Sequence, residues 1–279
     1  MAITLSASDI PGPPLSSRLT TPQVWGILLL TPYILVFLAF VVYPVCYGLW
    51  LARHPASYVA LYHDPIFARA AVNTLIFLVI GINIKMMIAL FLSGFFAQQR
   101  PWIKWLSVLF ILPWAVPSIP TILSVRFMFN PEWGVINTLI FKFTGEDGPN
   151  WLNDPWVALT MAIGVHIWKS LPFWTLILLA GRLAIPHELY EAASVDGAGR
   201  WKAFRYITCT LLSMIWTLGD FNSVYLLTGG GPADLTHVLA TLGIRYLRLD
   251  QVGLAMASIV CALPLILPLV FFMMKRLSR

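Results

Sequence analysis

Residues 188–205, ELYEAASVDGAGRWKAFR, decide how the chain is read. This island places three carboxylates, three basic side chains and two glycines between runs that are mostly hydrocarbon. A polar segment of that density has no place in a lipid interior, where unpaired polar groups are costly. The island therefore stands in water, and the apolar runs on either side of it enter the membrane.

Composition agrees. Hydrophobic residues make up 59% of the 279, charged ones only 11%, and mean hydropathy is +0.80, values that exclude an ordinary soluble domain. The 12 tryptophans suit a chain with many water–lipid boundaries, where indole rings settle. Cys46, Cys209 and Cys261 lie far apart in apolar segments, so neither a metal site nor a disulfide is implied. The net charge of +6 is scattered over short loops, which argues against a nucleic-acid partner.

Each crossing needs about 20 apolar residues. The residues before position 24 read as a disordered tail (1–23), and 24–279 as one transmembrane domain. Apolar runs at 24–51, 70–97, 105–128, 156–180 and 252–274 are candidate spans. The third holds Pro113, Pro117 and Pro120 and must kink or break, its freed carbonyls satisfied by neighbouring helices. Between the island and Asp220 only 206–219 is apolar. Those 14 residues reach about 21 Å as a helix, short of a core of about 30 Å. With the tail, the 98–104 loop, the island and the C-terminus on one side, that side holds ten Lys/Arg against six opposite. The positive-inside rule then favours six spans with both termini cytoplasmic. The expected fold is an all-α, polytopic transmembrane bundle of about six spans with a short fifth span.

Within the island, Ala192, Ala193, Ala198 and Gly199 permit close approach of another surface, and Gly197 and Gly199 allow a sharp bend. A short helix–turn–helix on the cytoplasmic face fits these residues. So does an amphipathic helix that meets only lipid headgroups. The pattern Glu191-Ala192-Ala193, Asp196-Gly197-Ala198, Phe204 and Ile207 resembles the EAA loop of permease subunits in binding-protein-dependent ATP-binding-cassette (ABC) importers. Other stretches are similar to the carbohydrate permeases of that family: Trp168-Lys169 with Pro172-Phe173, Leu179-Ala180-Gly181, Tyr43-Pro44, Asn73-Thr74, Leu112-Pro113, Gly134 with Asn137, and the run from Tyr225 to Pro232 (YLLTGGGP).

The resemblance implies a type I ABC importer permease in a bacterial cytoplasmic (inner) membrane, moving a sugar, oligosaccharide, polyol or sugar phosphate by alternating access. It implies four kinds of contact: a second permease subunit, two ATPase subunits that carry ATP and Mg, an extracytoplasmic solute-binding protein, and the lipid bilayer. This chain would hold no cofactor and catalyse nothing. Loop 186–205 would be the coupling segment, with Glu188, Glu191, Ala192, Ala193, Asp196, Gly197 and Ala198 facing the ATPase. One departure stands out. The family continues with Leu-Pro after the position of Thr208, whereas Cys209 and Thr210 follow here. That junction coincides with the short fifth span, and a deletion of roughly ten or more residues near Thr208–Cys209 would account for both.

Ionisable groups at membrane depth face an interior or a cavity. Lys85, His166, Lys169 and Asp220 are of this kind, and Lys85 either snorkels or pairs with Asp220. His166 and Lys169 share a helix face. For sugar contact, which wants aromatic platforms beside hydrogen-bonding groups, the candidates are Trp216, Asn222 and Tyr225, then Trp114, Asn83 and His166. Gly229–Gly231 lack the Lys-Ser/Thr of a phosphate loop and read as a flexible external loop. The alternative from another class is an ion-coupled secondary transporter with no ATPase, using Lys85, Lys169 and Asp220 as a relay.

Overall fold

The computed structural model describes residues 21–98, 100–183, 221–264, 267, 268, 271 and 275. The tail before residue 21, the island with Glu188, Glu191, Ala192, Ala193, Asp196, Gly197 and Ala198, the Thr208–Cys209 junction, Trp216 and Asp220 lie outside them. The chain divides into two compact units, Met1–Trp50 and Leu51–Arg279.

The first unit is helical: α1 (Thr21–Phe37), a π turn (Leu38–Val42) and α2 (Tyr43–Leu51). Pro44 cannot donate to the carbonyl four residues back, and the helix widens into the π turn immediately before it. The 28 residues Val24–Leu51 reach about 42 Å, enough to cross a membrane. Their apolar side chains point outward on every side; Leu29 and Phe40 are each about three-quarters exposed, as lipid-facing residues should be.

In the second unit α3 (Pro55–His63) leads into α4 (Pro65–Ile76), a second π turn (Phe77–Gly81) and α5 (Ile82–Phe96). The last three form one apolar helix of 32 residues. Asp64 starts it: its carboxylate accepts the Ile66 N–H at 2.8 Å and the Tyr246 hydroxyl at 2.6 Å, an N-cap shared with a distant segment. Ala70, Asn73, Thr74, Phe77, Leu78, Gly81, Ile82, Lys85, Met86, Ala89 and Ser93 are buried. Recurring every three or four residues, they make one continuous stripe.

α6 (Pro101–Ala115) and α7 (Ser118–Met128) follow, bent by 90° at the break between them. α8 (Val135–Thr144) lies in the polar connection, and α9 (Pro155–Leu183) is a second long apolar helix. Three short helices come next: α10 (Asn222–Leu227), α11 (Leu239–Arg248) and α12 (Val252–Val260). α9 is central, packing against α5, α6 and α10, while α12 lies on α3 and α11. Ile82, Met86 and Ala89 of α5 interlock with Trp174 and Leu178 of α9. Phe77 and Leu159 join Ile122, Val224 and Leu227 in a second cluster. At the bent pair the expectation of a broken third span holds.

Two asparagines stitch the connections. Asn137 Nδ2 donates to the carbonyls of Pro131 (3.1 Å) and Pro149 (3.3 Å), and its Oδ1 accepts the Trp151 indole N–H at 2.7 Å. A Cβ on Gly148 would strike the Asn137 side chain, and one on Gly134 would strike the carbonyl oxygens of Asn130 and Met128. Only glycine fits either place. Asn73 Nδ2 donates to the carbonyls of Leu235 (2.7 Å) and His237 (2.9 Å), and Thr74 Oγ1 accepts the Leu239 N–H at 2.9 Å. Glycine loop 228–238 is thus tied down to α4, and bonds within it, Thr236 Oγ1 to the Gly231 carbonyl at 2.6 Å and Thr236 N–H to the Gly230 carbonyl at 3.1 Å, close it further. The expectation of a flexible loop is corrected: distant side chains supply the partners that its own sequence lacks.

Asn73→Ala leaves two loop carbonyls without their donor, at about 1–3 kcal/mol each if they stay buried. The expected result is faster amide exchange across 228–241 and a lower unfolding temperature in detergent. Exchange unchanged from the parent would show that the stitch is not what holds the loop.

Candidate functional site

The site begins at the break between α6 and α7. In an unbroken helix the Pro113 carbonyl would accept from residue 117 and the Val116 carbonyl from residue 120. Both positions are proline and have no N–H to give. Lys169 of α9 supplies the missing donors, with Nζ 2.8 Å from the Pro113 oxygen and 2.7 Å from the Val116 oxygen. One ammonium thus satisfies both carbonyls, and its charge is held by helix-end dipoles rather than by lipid.

Where the break meets α9 and α10 a cavity of about 330 Å³ opens, at the small end of the range for ligand pockets. From α9 it takes His166, Lys169, Ser170, Phe173 and Trp174, a spacing that keeps one helix face. Trp114, Ser118 and Ile122 come from the broken pair, and Asn222 and Ser223 from the start of α10. Trp114 stacks on Phe173 with ring centroids 5.5 Å apart and planes 21° from parallel. The buried indole N–H of Trp174 has no hydrogen-bond partner among the described residues. The lining therefore offers an aromatic wall, hydroxyls, an amide and a spare donor, a set suited to a polyhydroxylated solute.

Behind this wall Lys85, fully buried, approaches His166 Nε2 at 3.1 Å and lies 5.5 Å from the Trp174 ring centroid. Phe77 packs against the same imidazole, centroids 5.2 Å apart. Of the two expectations for Lys85, snorkelling does not occur, since it is fully buried; pairing with Asp220 involves a residue outside the described ones.

Of the residues expected to contact substrate, Trp114, His166 and Asn222 line this cavity. Tyr225 lies one turn beyond Asn222, in cavities beside the glycine loop. Asn83 is elsewhere: it is exposed and its amide donates to the Val79 carbonyl of its own helix at 2.6 Å. Ile82, Lys85 and Met86 take the buried stripe, leaving Asn83 on another side. Sequence reasoning missed Ser118, Ser170, Phe173 and Trp174. Counting three, four, seven and eight residues on either side of His166 and Lys169 finds those on α9.

Beside the glycine loop, Asp234 accepts from Arg245 Nε at 2.8 Å and faces His237 Nε2 at 3.2 Å. Burial pulls the Asp234 carboxyl upward, but Arg245, by hydrogen bond and charge, and His237 outweigh it and hold it below the usual carboxylate value. Burial pushes His237 below its ordinary value; Asp234 opposes this, and Arg245 and Arg248 reinforce it. Gly230, at φ +91°, lies where a Cβ would strike the His237 ring.

Residues 86–279 match the family described as binding-protein-dependent transport system inner membrane component. The chain is 28% identical to the trehalose/maltose transport system permease protein MalF of Thermococcus litoralis, covering 90% of this chain and 92% of that protein. It is 31% identical to the sulfoquinovosyl glycerol transport system permease protein SmoG of Agrobacterium fabrum, covering 91% of each. A chain of a bacterial ABC transporter involved in the import of the acidic polysaccharide alginate shares the fold. It gives a TM-score of 0.73 at 24% identity, over 92% of this chain and 96% of that one.

Two outcomes follow from this geometry. Lys169→Met strips two carbonyls of a charged donor, and the loss is on the order of 3 kcal/mol, read as a lower unfolding temperature in nanodiscs. Pro117→Ala, which restores one N–H, should shrink that loss; an unaltered unfolding temperature in Lys169→Met would contradict the capping role. For His237, the folded loop binds a proton less readily than the unfolded chain. Its contribution is complete above the ordinary histidine value of about 6.5 and is lost as pH falls below it. Amide exchange over 234–241, corrected for intrinsic rate, should therefore be faster at about pH 5.5 than at about pH 7.5, and His237→Gln should flatten the difference.

Proposed function

The chain belongs to the family of binding-protein-dependent transport system inner membrane components, and from that premise we propose that it carries a saccharide through the membrane by alternating access. A member of this family is a multi-pass permease subunit of an ABC importer; ATP is hydrolysed in separate subunits. That membership sets aside the ion-coupled carrier. The saccharide class is supported by the named cargoes of the relatives: trehalose and maltose for one, sulfoquinovosyl glycerol for another.

The observation that carries the reading is the cavity at the broken helix, with its aromatic pair, hydroxyls and unpaired indole N–H. Trp114, His166 and Asn222 meet the solute there, Tyr225 marks the next station along the path, and Trp216 is placed with them by its position in the sequence. A cavity lodged at a helix break suits alternating access, because the break gives two rigid segments a hinge between them.

The working assembly includes a second permease subunit, two ATPase subunits that bind ATP and Mg, and an extracytoplasmic solute-binding protein. A neighbour of the same fold supports this; it is known in complex with an alginate pentasaccharide-bound periplasmic protein. The excess of Lys/Arg on the side of the tail, the island and the C-terminus puts both termini in the cytoplasm. Residues 186–205 then face the ATPase, with Glu188, Glu191, Ala192, Ala193, Asp196, Gly197 and Ala198 forming the docking helix and its bend. The permease domain comprises 24–279.

Gly197→Pro removes the bend's freedom without adding charge or bulk to a span. Uptake of the native saccharide by cells expressing the complete importer should be abolished, with the variant still inserted in the membrane. Normal uptake would refute the coupling role.

A further inference from the structure

The glycine loop borders two adjoining cavities beyond the one at the broken helix. The larger, about 530 Å³, is lined by α7, α10, the loop and α11, with Arg126, Tyr225, Asp234 and Arg248 as its polar residues of note. The smaller, about 260 Å³, shares Tyr225, Asp234 and Arg248 and adds His237 and Arg245. Three guanidinium groups thus meet one carboxylate, and that carboxylate is already engaged by Arg245 and His237. Among the described residues, Arg126 and Arg248 have no carboxylate within ion-pair distance.

Arg248 is held in place without being neutralised. It donates to the Tyr225 hydroxyl, its guanidinium carbon lies 5.3 Å from the Tyr225 ring centroid, and Tyr225 stacks on Phe221 at 4.4 Å. This fixes a cation at the edge of an aromatic platform, the arrangement that meets a sugar ring bearing a negative group. Arg126 faces the same space from α7 with its donors unspent. Two uncompensated guanidinium groups lining one recess favour an anion, and a planar fork binds carboxylate, sulfonate or phosphate oxygens in pairs. The recess has the volume of a small-molecule pocket, which favours a solute over a docked protein surface.

We propose that Arg126 and Arg248 bind an anionic group on the transported saccharide beside the glycine loop, so that the cargo is an acidic sugar. This rests on the saccharide-permease reading and narrows it. Tyr225 carries the ring while the two arginines hold the charge, and a neutral sugar of equal length lacks the second contact.

The test is equilibrium binding of tri-galacturonate and of maltotriose to the full chain in phosphatidylcholine nanodiscs. Tri-galacturonate should bind at least about tenfold tighter, with the preference shrinking from about 50 mM to about 500 mM NaCl as the charges are screened. The double variant Arg126→Gln, Arg248→Gln should abolish the preference. Should that variant fold poorly, Arg126→Gln alone, at an exposed position with no bonded partner among the described residues, should reduce it. Equal binding of both saccharides would overturn the anion site and leave the saccharide reading standing. Binding of neither would overturn both. Loss of tri-galacturonate binding on changing to phosphatidylglycerol discs would assign the arginines to lipid headgroups and overturn the cargo proposal.

Discussion

Two carbonyl oxygens and one ammonium organise the centre of this molecule. Pro117 and Pro120 remove the donors that the Pro113 and Val116 carbonyls would otherwise use, and Lys169 replaces them at 2.8 and 2.7 Å. A lipid interior tolerates neither a free carbonyl nor a free ammonium. Each cancels the other's penalty, so the break in the helix and the charge on α9 require one another. The pairing also fixes geometry. With α7 turned 90° from α6 and α9 pinned to the bend, the helices cannot close against one another, and the space left between them is the cavity. The cavity thus starts from a backbone defect that a neighbouring side chain has made stable.

The same logic recurs at the connections. Asn73 and Thr74 hold the glycine loop from α4, and Asn137 gathers the polar segment around α8. In each case a short polar side chain spends its hydrogen bonds on backbone groups of a connection that lies outside the long helices. Apolar packing against lipid has little directional preference, since lipid tails are as apolar as leucine. Such polar stitches decide which loop lies against which helix. α10 connects the two systems: its first residues line the cavity, and its end runs into the stitched loop.

Much of the fold was legible in the letters, because long charge-poor runs and membrane thickness constrain each other closely. The break at 113–120 was readable from three prolines, and the shared face of His166 and Lys169 from their spacing. The partners of Lys169 were not, because a carbonyl freed by proline leaves no letter in the sequence. Asn83 shows a different limit. Its helix is apolar all round, so the sequence does not reveal which side is buried; only packing on α9 shows that Ile82, Lys85 and Met86 face inward. The triple glycine read as slack because its anchors lie about 160 residues earlier in the chain. The island at 188–205 rests on its residue pattern alone, and with it the link from ATP to the cavity.

That link is open to direct measurement. Ala193→Cys, in a background with Cys46, Cys209 and Cys261 replaced, is co-expressed with its ATPase subunit carrying a cysteine in the docking groove. A permease driven by that ATPase forms a cross-link whose yield changes when ATP is added. A stable, membrane-inserted protein that forms no cross-link, with or without ATP, would contradict the coupling of this chain to an ATPase through its polar island.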